Sequence, residues 1–390
     1  MLTEEQNCVL SLLRESMGVG SGLAFSETVD GARYISRAIC RNGILLTVYP
    51  TIKAATEKTG NKLLKELELA LRQQALLLLR QTVLQDHEGE QVLNALSEAG
   101  MSCIALKGWE MRKLYPKSAP RQMVDLDILV FPYDYSRIES SMKKLGFIPD
   151  RVSSWKHDGF KKNEVNVEMH KRLMDDSDII QKWERNIWEK AVPVHGNIFK
   201  MKIEDYYIFH FVHLHKDFMN GSLGLRRIVD TWLLQKQKFD TDEVKAELQL
   251  FGMWTFHERM VSLSRAVMGE EPIDKNSEIL LAHAFKHGIY GSDVSYKASR
   301  IVSMGKSVKS GKFNSALAAV FLPYKRMKAQ FPILGKWPVL LPLCWIWRAL
   351  YFACGDMRWT RSKLDYSNIN ETDYQETKSF FEAGGVKSID

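Results

Sequence analysis

The sequence predicts an α+β fold: a small mixed sheet with flanking helices, plus helical N-terminal and C-terminal regions. Three observations carry that expectation. Residues 102–130 have the rhythm of a buried strand, a Gly turn, a short helix-like segment and a second strand. Residues 164–170 alternate apolar and polar side chains as a half-buried strand does. Apolar residues recur at helical spacing on both sides of this block. The implied division is a helical region over 1–100, a sheet-bearing core over 101–202, a helical domain over 203–370 and a polar tail over 371–390 that is expected to fray.

The bulk properties narrow the function classes. A chain of 390 residues, 45% hydrophobic and 26% charged, buries a substantial core. Its net charge of +7 favours anionic partners, which include nucleoside triphosphates, nucleic acid and anionic lipid headgroups, without choosing among them. Cys8, Cys40, Cys103, Cys344 and Cys354 are scattered and form no Cys-x-x-Cys pair, so neither a zinc framework nor a disulfide scaffold is indicated. The start, Met-Leu-Thr-Glu-Glu-Gln, lacks the basic residues and apolar core of a secretory signal, which points to the cytoplasm.

Along the N-terminal region, Leu10, Leu12 and Leu13 begin a helix that Gly18 to Gly22 interrupt, and 32–57 and 61–98 follow as helical stretches. The broad leucine stripe from Leu63 to Leu79 reads as a core-facing helix. Within the core, Asp125 and Asp127 share one strand face while Val124, Leu126 and Ile128 share the other. Two carboxylates so placed can share a hard cation such as Mg²⁺, whose remaining ligands are waters and substrate phosphates. Gly108, where strand turns into helix, offers a backbone without Cβ as a phosphate cradle, and Lys107 beside it adds a point charge. Residues 134–145 read as a helix ended by Gly146, and Lys161-Lys162-Asn163 as a hairpin turn. In the strand after that turn, Asn166, Glu168 and His170 share a face, which makes Glu168 the candidate third carboxylate; the competing reading is an edge strand with a solvated polar face.

The pattern Leu106-Lys107-Gly108, Tyr115, Arg121, Val124-Asp125-Leu126-Asp127-Ile128-Leu129-Val130 and Lys144-Leu145-Gly146-Phe147 resembles the bacterial uncharacterised nucleotidyltransferase family, of the DNA polymerase beta-like superfamily. The superfamily's usual Gly-Ser is Lys-Gly here, as that family favours, and the resemblance covers about residues 30–240, with the helical lead-in over 35–52. It implies transfer of an NMP from an NTP substrate to a hydroxyl or phosphate acceptor (small molecule, saccharide or peptide), with Mg²⁺ or Mn²⁺ at Asp125, Asp127 and Glu168 and in-line attack on the α-phosphorus. The family's acidic residue, spacer and His match Glu168-Met169-His170. Phosphate contacts are expected from Lys107, Gly108 and Arg121.

Beyond the core, residues 178–190 read as a helix and 192–201 as a short hairpin around His195-Gly196. His210, His213 and His215 invite a zinc hypothesis, but no Glu or Cys completes a ligand motif. The resemblance instead implies that this His-rich helix, with Gly224-Leu225-Arg226 and Asp230, fixes the helical domain or lines the nucleotide cleft, giving His170, His213, His215 and Asp230 supporting roles. Arg226 and Arg227, adjacent on a helix, are expected to face different ways, so that one of them binds phosphate; an ion pair of Asp230 with either, at i+4 or i+3, is equally open.

Between Asp293 and Asp356 there is no acidic residue, while 337–354 is strongly apolar and holds Trp337, Trp345 and Trp347. Arg348, Pro338 and Pro342 argue against a membrane span. What remains is an ordinary packed helix or a peripheral surface for anionic lipid at the inner face of a membrane. No aromatic platform interleaves with the basic residues, which argues against nucleic acid as a partner. The alternative to an enzyme is a catalytically degenerate nucleotide-binding or scaffold protein in a membrane-associated biosynthetic assembly.

Overall fold

Four helices lead into the sheet in the computed structural model, which describes residues 2–23, 31–151, 157–173, 178–305, 307–308, 310, 321–354, 366 and 368–386. The chain divides into two units, one of residues 1–216 and 223–290 and the other of residues 217–222 and 291–390.

In the first unit, helix α1 (Glu4–Ser16) opens on a capping box between Thr3 and Gln6. The stretch expected as helical from 32 to 57 is two helices, α2 (Ala32–Arg41) and α3 (Leu45–Thr59). Gly43, at φ +68°, makes the break. Helix α4 (Lys62–Glu98) starts at Asn61, whose side chain accepts from the Leu64 N–H. Its 37 residues reach about 55 Å. Leu63, Leu64, Leu67 and Leu71 are buried, and Val92, Leu93 and Leu96 join the core beneath the sheet. Leu69, Leu76, Leu77 and Leu79 are exposed, so the reading of the whole stripe as core-facing is corrected.

Among the described residues the sheet has seven strands: β1 (Ser102–Ala105), β2 (Asp125–Phe131), β3 (Ile148–Arg151), β4 (His157–Lys162), β5 (Val165–His170), β6 (Val192–His195) and β7 (Ile198–Lys200). Their order is β3-β4-β5-β2-β1-β7-β6. It is mixed, with β2 parallel to β5 and β1 parallel to β7, and the remaining pairs antiparallel. Helix α5 (Gly108–Met111) follows β1, and α6 (Tyr135–Lys144) follows β2 and ends before Gly146 at φ +84°. One face of the sheet is the core: Leu126, Ile128 and Val130 of β2 and Val165, Val167 and Met169 of β5 pack with α4 and with Ile138 and Met142 of α6. By strand alternation the other face is left to the polar residues of β2 and β5.

Helices α7 (Asp178–Arg185), α8 (Ile187–Lys190), α9 (Ile203–Met219), α10 (Leu225–Gln235), α11 (Thr241–Leu250), α12 (Trp254–Val267) and α13 (Lys275–His287) follow. The second unit contains α14 (Asp293–Val302) and helices over Tyr324–Gln330, Leu341–Cys354 and Glu371–Ala383. The last corrects the expected frayed tail. Asn370 caps it, and Phe380 and Phe381 are buried, with Phe380 stacked on Phe218 at a centroid distance of 4.0 Å. Among the described residues no helix is long and apolar enough to cross a membrane.

Gly89 shows how tightly α4 meets the core. A Cβ there would stand 2.4 Å from Cζ3 of Trp109, a rigid, buried indole. Helix propensity alone would make Gly89→Ala stabilising by up to about 1 kcal/mol, while overpacking costs about 1–3 kcal/mol. We therefore expect Gly89→Ala to lower the urea unfolding midpoint, and Gly60→Ala, where a Cβ meets nothing within 4 Å, to lower it only through the left-handed backbone at φ +64°.

Candidate functional site

The site grows from two adjacent parallel strands. Their register sets Asp127 opposite Glu168 and Asp125 opposite Asn166, so all three carboxylates lie on the polar face and line one cleft. The cleft holds about 140 Å³ and is also lined by Lys107, Gly108, Arg121, His213, Arg226 and Arg227.

Asp127 is the buried centre. Its Oδ1 accepts from the Lys107 ammonium at 2.6 Å and from Nε2 of His170 at 2.8 Å. Burial raises its carboxyl, but these two donors outweigh burial and hold it well below the usual carboxylate range. Glu168 stands 3.4 Å from Nε2 of His170 and 3.4 Å from Nε2 of His157, and the His170 hydrogen bond lowers it. Asp125 goes the other way: burial, then repulsion from Glu168 and Asp127, raises it. The two carboxylates on that strand therefore stay unequal, because the cationic donors reach only one of them.

Lys107 is clasped at both ends. Its φ of +44° is rare for a residue with a side chain and is a local cost. Besides the ammonium contact with Asp127, its carbonyl accepts from the Tyr206 hydroxyl at 2.6 Å. Gly108 is required by close approach: a Cβ would lie 2.7 Å from Met123 Cγ and 2.9 Å from Arg121 Nη1.

Arg121 is 4% exposed and forms a two-pronged ion pair with Asp230 on α10, Nε to Oδ1 at 2.7 Å and Nη2 to Oδ2 at 2.8 Å. The Tyr115 hydroxyl donates to the same Oδ1 at 2.8 Å. Asp230 thus takes its partners from the loop before β2, not from Arg226 or Arg227 in its own helix, which corrects the local ion pair held open above. Arg226 and Arg227 both line the cleft. Arg226 donates to the Gln122 carbonyl at 3.2 Å, its Nε is buried without a hydrogen-bond partner, and burial together with the Arg121 charge lowers its pKa. Arg227 reaches Nδ1 of His213 at 3.4 Å.

The three histidines of α9 do not converge. His210 is buried against the Thr231 hydroxyl at 2.9 Å, and burial lowers its pKa to about 3. His215 packs edge-on to Phe256 and is outside the cleft lining. The one group of His, Cys, Asp or Glu ligand atoms lying within 4.8 Å of one another among the described residues is His157, Glu168 and His170.

The donor set fits a divalent cation. Three carboxylates share one face, and the ammonium and imidazole that meet at Asp127 show that positive charge is what this position takes up. Asp125, Asp127 and Glu168 offer oxygen atoms of the kind a hard cation takes, and the ligand atoms of His157, Glu168 and His170 lie within 4.8 Å of one another, as a borderline metal would need. His157 and Tyr206 were missed in the sequence. For His157 the signal existed, because the two-residue turn after Lys162 pairs His157 with His170.

The buried pair sets a pH dependence. Burial raises Asp230, but Arg121 outweighs it and the carboxyl falls from 3.8 to about 2. A depressed folded pKa contributes stability that is full above the unfolded value and is lost as pH falls from about 4 toward 2. Asp230→Asn, which leaves the Arg121 charge buried alone, is expected to cost about 3–5 kcal/mol near neutrality. Urea unfolding as a function of pH checks this, and the gap between variant and wild type should narrow toward pH 2.

Comparison with curated proteins and with solved structures gave no match. A family model described as uncharacterised nucleotidyltransferase matches residues 32–269, from α2 through the sheet to α12, and so includes every residue of this cleft up to Arg227. The chain therefore belongs to the uncharacterised nucleotidyltransferase family, and it is a nucleotidyltransferase.

Proposed function

We propose that the cleft binds a nucleoside triphosphate with Mg²⁺ or Mn²⁺ and transfers its NMP to a hydroxyl or phosphate on a small molecule, saccharide or peptide. The observation that supports this reading best is the pairing of Asp127 with Glu168 on parallel strands, with Asp125 two residues away and four cationic side chains in the same cleft. Asp125, Asp127 and Glu168 would hold the metal, which when bound supplies activation of the acceptor hydroxyl and charge neutralisation at the departing pyrophosphate.

The chain's own residues do the positioning. Lys107 and Arg226, with Arg227 beside them, present positive charge to the triphosphate, and most of the rate comes from alignment and charge stabilisation. Arg121, already bound by Asp230, contributes chiefly by fixing the loop before β2 and by its field. His170 keeps Asp127 ionised by donating to it. In the transfer an acceptor oxygen forms its bond to the α-phosphorus as the bond to pyrophosphate breaks, and where the acceptor is a hydroxyl its proton passes to water.

The test is calorimetric titration of each NTP with and without Mg²⁺, on the wild type and on Asp125→Asn/Asp127→Asn. Binding is expected to require the metal in the wild type and to lose its metal dependence in the double variant. Lys107→Ala is expected to weaken binding by about 10-fold or more, the loss of one charge-assisted contact. Binding indifferent to both metal and substitution would sink the enzyme reading and favour a nucleotide-binding or scaffold role.

A further inference from the structure

The second unit turns apolar side chains outward. In the helix Leu341–Cys354, Leu343, Ile346, Trp347 and Leu350 fall at i, i+3, i+4 and i+7 and so form one stripe. Each is more than half exposed, and Trp337 at 61% and Val339 at 79% extend the patch into the preceding turn. The packing side is the opposite one, where Cys344 is buried with Met327 and Leu334 and the Trp345 indole N–H donates to the Leu322 carbonyl at 2.9 Å. A contiguous outward patch of this kind marks an interaction surface.

Charge identifies what covers it. Asp293 and Asp356 bracket a stretch without any acidic residue and with ten basic ones. Of these, Lys328 and Lys336 are exposed close to the patch in sequence, and Arg348 lies on the helix itself. Apolar and tryptophan side chains beside lysines of one sign suit the boundary between acyl chains and anionic headgroups. Helix α4 provides the contrast. Its outward leucines are interleaved with Glu66, Arg72, Arg80 and Asp86, which are charges of both signs. The outward helix of the second unit has 14 residues, about 21 Å of length, too short to cross a bilayer.

We propose that Trp337, Val339, Leu343, Ile346, Trp347 and Leu350 form a peripheral membrane-binding surface that lies in the interface of an anionic bilayer. This is independent of the nucleotidyl-transfer reading. It brings the protein to a lipid surface by two additive terms, burial of the stripe and attraction of the lysines, and the second is screened by salt.

Co-sedimentation of the full chain with phosphatidylcholine vesicles, with and without phosphatidylglycerol, tests it. The protein should pellet with the phosphatidylglycerol vesicles, stay in solution with phosphatidylcholine alone, and be released at high salt. Val339→Glu/Leu343→Glu should abolish pelleting with an unchanged thermal midpoint, and Lys328→Gln/Lys336→Gln should weaken it about fivefold for each lysine. Leu76→Glu/Leu77→Glu on α4 should pellet as the wild type does. The proposal is overturned if phosphatidylglycerol vesicles leave the protein in solution, if the Glu variant pellets undiminished, or if phosphatidylcholine alone binds equally. A concentration-dependent dimer dispersed by the Glu variant, without vesicle binding, would instead assign the stripe to a second copy of the chain.

Discussion

The parallel register of β2 against β5 is the constraint on which the site depends. Side chains alternate with a period of two, so a slip of one residue would turn Asp125 and Asp127 into the core and Leu126 and Ile128 into the cleft. The buried face forbids that slip: Leu126, Ile128, Val167 and Met169 are all needed beneath the sheet. Packing on one face therefore fixes the chemistry on the other. The carboxylate so forced inward, Asp127, is costly to bury, and the Lys107 and His170 donors offset that cost. The same contacts hold Lys107 in its rare backbone conformation.

A second buried ion pair extends this order to the helices. Arg121 and Asp230, 109 residues apart, join the loop before β2 to α10, and Tyr115 completes the acceptor's shell. The net stability of such a pair is modest, because desolvation cancels much of its attraction. Its geometric consequence is larger: α10 is held where Arg226 and Arg227 both reach the carboxylate cleft. Lys107 and Arg121 are paired there with Asp127 and Asp230, and Arg226 and Arg227 add positive charge beside the acidic cluster. A polyphosphate with a divalent cation answers both halves of that field.

What was legible in the sequence was local. The shared face of Asp125 and Asp127, the alternation around Glu168, the hairpin at Asn163 and the Gly146 terminus all follow from strand and helix periods or from turn chemistry. The Arg121–Asp230 pair was not legible, because the nearer arginines at i−3 and i−4 offered an equally good local explanation and tertiary packing overrode it. Leucine spacing on α4 could not reveal that its middle, around Leu76, Leu77 and Leu79, is exposed while both ends are buried. The polar composition after 371 hid Phe380 and Phe381, which are buried in that helix together with Thr377 and Ala383. His157 lay within reach of the turn register and was passed over because its own strand reads as polar.

The most direct measurement is anomalous diffraction from crystals grown with Mn²⁺ and a non-hydrolysable NTP analogue. The account predicts manganese bound by Asp125, Asp127 and Glu168, with the α-phosphate at the same ion and the outer phosphates toward Lys107 and Arg226. Manganese held only by His157, Glu168 and His170, with no nucleotide in the cleft, would contradict it.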